Sequence, residues 1–112
     1  MTIPAENLAF KMQLKPGHVE EYKKRHDTLW PDLAEALRGA GIYDYSIFLD
    51  EDTLSLFAVL KRRPGADHDA GFTALPLQPV MRRWWDYMAD LMEVEPDNKP
   101  RQWTLQPMFH FD

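Results

Sequence analysis

The chain has 112 residues, 45% hydrophobic and 28% charged, with a formal net charge of −5 and no cysteine. That length suits one domain, spanning 1–112, around one core. The lack of thiols excludes disulfide scaffolds, CxxC redox sites, cysteine nucleophiles and zinc–thiolate centres, and the acidity speaks against a protein that holds nucleic acid by its phosphates.

Residues Met1 to Asn7 are polar, carry Pro4 and lack the charged-then-apolar pattern of a secretory leader. No apolar run approaches the ~20 residues of a membrane span. With no cysteine either, the expectation is a cytoplasmic protein that does not engage a membrane.

Leu8, Phe10, Met12 and Leu14 alternate with polar residues, the pattern of a half-buried strand. Pro16-Gly17 ends it and is expected to open a helix. From Val19 the period changes. Val19, Tyr22, His26, Leu29, Leu33, Leu37 and Ala40 step by three and four, as one face of a helix does. Pro31 interrupts that stripe, because it cannot donate a backbone bond and biases Trp30 away from helix. A break is therefore expected between about Asp27 and Trp30, with Asp27 or Thr28 capping a second helix that Gly39 and Gly41 end.

Ile42 to Leu49 and Leu54 to Lys61 read as a hairpin around the polar turn Asp50-Glu51-Asp52-Thr53. On the first of these strands Tyr43, Tyr45, Ile47 and Leu49 share a face. The stretch Arg62 to Pro79 holds Pro64, Gly65, Gly71, Pro76 and Pro79 and is expected to be a loop with at most one short helical turn. Met81, Trp84, Trp85, Met88, Leu91 and Met92 then mark a second helical region. Pro96 to Pro100 reads as a tight turn, and Trp103 to Phe111 as a last strand with Pro107 at an edge or bulge.

This order predicts an α+β ferredoxin-like βαββαβ sandwich, an antiparallel sheet with the helices on one face. Ile42, Phe48, Phe57 and Val59 fall on the opposite phase of their strands. A sheet apolar on both faces needs a cover, and a second copy packed about a two-fold axis is the simplest one.

His26 is the most informative single residue. It lies on the apolar stripe one turn after Tyr22, near a helix C-terminus whose dipole favours the protonated ring, while burial opposes protonation. A histidine so balanced suits proton transfer near neutral pH, and a hydrogen-bonded core histidine fits the same spacing. Trp84 and Trp85 are adjacent on a helix, so only one can face the core squarely; the other suits an interface or a cleft, where an indole face can stack on a sugar. Tyr43 and Tyr45 could each line a pocket or be structural. No HxxxH, HExxH, GxSxG or Gly-rich phosphate loop occurs, so no metal or serine-nucleophile site is expected. The basic runs Lys23-Lys24-Arg25, Arg62-Arg63 and Arg82-Arg83 read as solvated charge.

The segments EYKKRHDTLWPDL (Glu21–Leu33), DYSIFLD (Asp44–Asp50), RRWWDYMADLM (Arg82–Met92) and PDNKP (Pro96–Pro100) run in order along nearly the whole chain. Together they resemble the L-rhamnose mutarotase family. The resemblance implies a ferredoxin-like homodimer of the dimeric α/β-barrel type. It also implies interconversion of the α and β anomers of L-rhamnose without cofactor or metal. It makes His26 the proton donor and Tyr22, Tyr45, Trp84 and Trp85 the sugar-contacting residues. The Pro- and Gly-rich stretch from Arg62 to Pro79, with Asp67-His68-Asp69 inside it, departs from the family pattern and leaves one pocket wall, and strictness for rhamnose, open. Two other classes share the architecture or the aromatic residues: cofactor-free monooxygenases or haem-handling proteins, and non-catalytic sugar binders.

Overall fold

The computed structural model describes residues 6–111. Most of the polar opening Met1 to Asn7, with its lack of a leader pattern, lies outside them. The first strand, β1 (Glu6–Gln13), turns Leu8, Phe10 and Met12 to the core, as a period of two requires. Pro16-Gly17 does not open a helix. Gly17 has φ of 83°, a left-handed turn conformation, and α1 (Val19–Asp27) begins only after His18.

The break falls where Pro31 demands it. Trp30 is extended, with φ −63° and ψ 131°, and Pro31 takes the first position of α2 (Pro31–Gly39), where its missing N–H costs nothing. Neither Asp27 nor Thr28 caps α2, because Trp30 already occupies the N-cap position. Thr28 instead closes α1, its hydroxyl donating to the Lys24 carbonyl at 3.2 Å. Beyond α2 the chain turns through Gly41, at φ of 79°.

The hairpin is β2 (Ile42–Asp50) and β3 (Ser55–Arg62). One feature of it departs from the sequence expectation. The register pairs Tyr43 with Lys61 but Ser46 with Val59, so β2 carries one extra residue, a bulge with Asp44 at φ of 50°. The bulge inverts the phase before it. Ile42 joins the core instead of the opposite face, and Tyr43 leaves the Leu49 face and packs under Arg63, 3.9 Å from its guanidinium carbon.

The stretch expected to be a loop is largely helical. Gly65 precedes α3 (Ala66–Ala74), and Asp67 and Asp69 sit in the first turn, where the helix dipole favours acidic groups. A 3₁₀ turn at Leu75–Leu77 leads to α4 (Pro79–Met88), which begins at Pro79. It ends at Met88, so Leu91 and Met92 lie beyond it, and Met92 bridges to Leu14. The last strand is far shorter than expected: β4 covers only Trp103–Thr104, while Met108, Phe109 and Phe111 are more than 80% exposed. Among the described residues the β1–β4 pairing stops at Thr104 opposite Phe10, and Pro107 has no amide hydrogen to donate to a ladder.

The sheet order is β2-β3-β1-β4, every neighbour antiparallel. This is the ferredoxin-like arrangement. Met12, Leu56, Ala58 and Leu60 from the sheet meet Leu33, Met81, Trp84 and Met88 from α2 and α4 in one core. The other sheet face stays apolar and open, with Phe48 60% and Val59 40% exposed. No helix among the described residues is long and apolar enough to cross a membrane.

Gly71 on α3 packs against the end of α2. A Cβ there would collide with the Gly39 carbonyl oxygen and stand 3.2 Å from the Ala40 Cα, all backbone that cannot swing away. Gly71→Ala should lower unfolding stability by about 1–3 kcal/mol, despite the better helix propensity of alanine. Urea unfolding checks this, and an unchanged midpoint would mean that the two helices do not rely on this close approach.

Candidate active site

Between the helical layer and the sheet lies a cavity of about 910 Å³, near the upper end of the usual size for small-molecule sites. All five residues named from the sequence line it: Tyr22 and His26 from α1, Tyr45 from β2, Trp84 and Trp85 from α4. Tyr43 does not, because the bulge turns it away. Nor does His68, which packs against Gly41 with Nδ1 3.3 Å from the Pro64 carbonyl. Both tryptophans are buried, at 7% and 8% exposure, and both line the cavity, so the cleft expected for one of the pair takes in the two together. The cavity is wide enough that neighbouring helical positions both reach its wall.

His26 is held from three sides. Its ring stands 4.4 Å from that of Tyr22, centroid to centroid, and 5.3 Å from that of Trp84, which meets it edge-on at 89°. Nδ1 lies 2.9 Å from the Tyr22 carbonyl oxygen. A carbonyl can only accept, so Nδ1 carries the hydrogen and donates, and the neutral ring keeps its lone pair on Nε2. Burial lowers the His26 pKa below its ordinary 6.5; the bond to the Tyr22 carbonyl and the nearby Asp27 carboxylate oppose this and do not overcome it. The balance foreseen between helix terminus and burial is thus settled by burial.

The phenols move the other way. Burial raises the Tyr45 pKa to about 12 and raises Tyr22 further, with Tyr45 adding to the effect on Tyr22. Tyr45 is 38% exposed, yet what it exposes includes a cavity wall crowded by protein, and crowding is what makes the phenolate costly. Both hydroxyls therefore stay protonated at any ordinary pH and serve as hydrogen-bond donors or acceptors.

Other lining residues carried no distinguishing signal. Leu29, Met81 and Met88 line the cavity from positions that read as plain core stripe. Lys23, Asp27, Lys99 and Gln102 add polar groups to the lining, with Lys23 paired to Asp27 at 3.0 Å. Among the described residues, no cluster of three or more His, Cys, Asp or Glu side chains could hold a metal ion.

Fold and cavity together define a class: a ferredoxin-like α+β protein with an aromatic-walled, small-molecule-sized cavity beside one half-buried imidazole. A family model described as L-rhamnose mutarotase matches residues 7–111. A protein of Burkholderia cenocepacia named L-rhamnose mutarotase is 57% identical over 107 residues, covering 96% of this chain and 99% of its own length. One of that name from Mesorhizobium japonicum is 58% identical over 105 residues, 94% of this chain and 96% of its own. The crystal structure of an L-rhamnose mutarotase from Formosa agariphila matches with a TM-score of 0.85 at 42% identity, covering 96% of this chain and 99% of that one. A Pseudomonas aeruginosa structure at 18% identity and a TM-score of 0.57 shares the fold alone. This chain belongs to the L-rhamnose mutarotase family.

The geometry around His26 predicts a ring with Nδ1–H as the neutral tautomer and a titration midpoint below 6.5. Nitrogen-15 NMR of labelled histidine reads both; a midpoint above 6.5 would mean that the ring is not desolvated as described.

Proposed function

We propose that this chain, acting as one domain over 1–112, is an isomerase that interconverts the α and β anomers of L-rhamnose, with His26 carrying the proton. Family membership supports the reaction, and the His26 ring supports the role: an imidazole on the cavity wall whose Nδ1 is tied to the Tyr22 carbonyl, which leaves Nε2 for the substrate. Opening a pyranose removes the proton from the anomeric hydroxyl and delivers one to the ring oxygen. Both oxygens are bonded to the same carbon, so a single nitrogen can serve both.

Neutral Nε2 takes the anomeric proton as the C–O ring bond breaks and its electrons pass to the ring oxygen. The imidazolium then gives the proton to that oxygen. Rotation about the bond beside the open aldehyde presents the other carbonyl face, and the same transfers run in reverse. His26 is thus a base before it is an acid, an order that its lowered pKa favours and that the resemblance alone, which names a proton donor, does not supply. Tyr22 and Tyr45 hold sugar hydroxyls, and Trp84 and Trp85 offer ring faces to the apolar side of the sugar. No step calls on a metal or cofactor. The monooxygenase and haem-handling alternatives rest on fold analogy and the pure binding one on the aromatic residues, and family membership favours the mutarotase reading over all of them.

We place the protein in the cytoplasm on its cysteine-free composition. The open sheet face we assign to a second copy of the chain. Phe48 and Val59 stand exposed beside Phe109 around one groove, and a two-fold axis would bury the same patch from both partners.

Exchange between the anomeric proton signals of L-rhamnose should be accelerated by the protein, and His26→Ala should lose roughly 10²–10⁴-fold of it. The rate should rise with pH through a midpoint below 6.5 and stay level above it, because only the neutral ring can accept the first proton. A rate that falls as the ring loses its proton would reverse the assigned order. The titratable groups sharing the cavity are Tyr22, Tyr45, Asp27, Lys23 and Lys99. For the second copy, light scattering should give a dimer mass that Phe48→Lys reduces to a monomer; a monomeric parent chain ends that assignment.

A further inference from the structure

Arg25 belongs to a basic run that reads as solvated, yet its side chain is only 12% exposed. It sits in the last turn of α1, immediately before His26. Its Nε donates to Glu21 Oε1 at 3.1 Å, and its Nη1 donates both to the Tyr87 backbone carbonyl at 2.6 Å and to Asp90 Oδ1 at 3.0 Å. Tyr87 lies in the last turn of α4 and Asp90 just beyond it. The Tyr87 carbonyl is among the last four of that helix, which lack a partner within it. One guanidinium therefore ties the end of α1 to the end of α4.

The same guanidinium covers the Tyr87 ring, 4.2 Å from its centroid. From there a run of rings leads back to the imidazole. Tyr87 stacks on Trp30 at 5.4 Å, Trp30 stands edge-on to Trp84 at 5.1 Å, and Trp84 stands edge-on to His26 at 5.3 Å. Arg25 thus reaches His26 by two routes, the α1 backbone and this aromatic series.

We propose that Arg25 is a positioning residue for His26, clamping α1 to α4 and seating Tyr87 against Trp30 and Trp84 so that Nε2 faces the cavity. Exposed ion pairs contribute little, and the Glu21 and Asp90 carboxylates are 43% and 64% exposed, but this guanidinium is itself only 12% exposed and also takes the Tyr87 backbone carbonyl, so its planar fork joins α1 to the end of α4. Lysine keeps the charge and cannot reproduce the fork.

The inference rests on His26 as the proton carrier, and its test separates the two claims. Arg25→Lys is compared with Asp90→Asn, which loosens the clamp from the α4 side and leaves the bond to the Tyr87 carbonyl in place. Each folded variant is read by urea unfolding, by nitrogen-15 signals of the His26 ring, and by kcat and KM for anomer exchange. Arg25→Lys should lose roughly 10–100-fold in kcat, with KM moving far less, as expected when a reacting group is displaced. Its His26 signals should shift toward mixed tautomers, with a midpoint nearer 6.5. Asp90→Asn should move each readout the same way and by less, and it decides the matter if Arg25→Lys does not fold. Unchanged kcat and ring signals in the folded variants would make Arg25 a stability clamp and overturn the proposal. Shifted ring signals in these two variants, with exchange unaffected in them and in His26→Ala alike, would uphold the positioning and remove His26 from the chemistry.

Discussion

The site depends on a hydrogen-bond donor that is missing. Pro31 has no amide hydrogen and crowds the residue before it, so α1 cannot run on into α2. The consequences are local and then tertiary. His26 falls in the last turn of α1, its ring bonded back to the Tyr22 carbonyl. Trp30, forced to be extended, brings its ring between those of Trp84 and Tyr87. Freed of α1, α2 lays its own apolar stripe, with Leu33 at its centre, into the core. A single helix through this region would carry Trp30 round with the helical period and would separate it from the rings it now joins.

The parts of the fold that were legible are those where the cause is local. Alternation in β1, the change of period at Val19 and the break at Pro31 each follow from the geometry of a few consecutive residues. The phase of β2 does not. Its bulge needs Asp44 in a left-handed conformation, with its carboxylate 3.2 Å from Lys61 on the neighbouring strand. That partnership spans the hairpin, and without it Tyr43 and Tyr45 look equivalent. The segment before α4 misled for a related reason. Gly65 and Gly71 look like helix breakers in a local window. In the fold one precedes α3 and the other admits the backbone of α2. At the C-terminal end, alternation is present in Phe109 and Phe111, but among the described residues pairing with β1 stops at Thr104, and alternation does not say where pairing ends.

The cavity was legible through its polar and aromatic groups and not through its bulk. Its walls are the same leucines and methionines that make the core, on the same stripes, so no spacing distinguishes a wall from an interior. Only residues whose burial is costly stand out: an imidazole on an apolar stripe, phenols beside it, indoles in adjacent positions.

That cost has a chemical consequence. Desolvation disfavours every charged form at once, lowering the imidazole pKa and raising both phenols, so His26, Tyr22 and Tyr45 are all neutral near neutral pH. A sugar is neutral as well, so binding it demands no counter-charge. A proton taken by His26 creates a charge that the same burial makes unfavourable, and the ring is driven to give it up. For a reaction in which the proton taken from one oxygen is returned to another on the same carbon as the ring bond opens, a base that releases readily serves better than one that holds. In the role proposed for His26, burial that would be a defect in a purely structural histidine sets the ring for transfer in both directions.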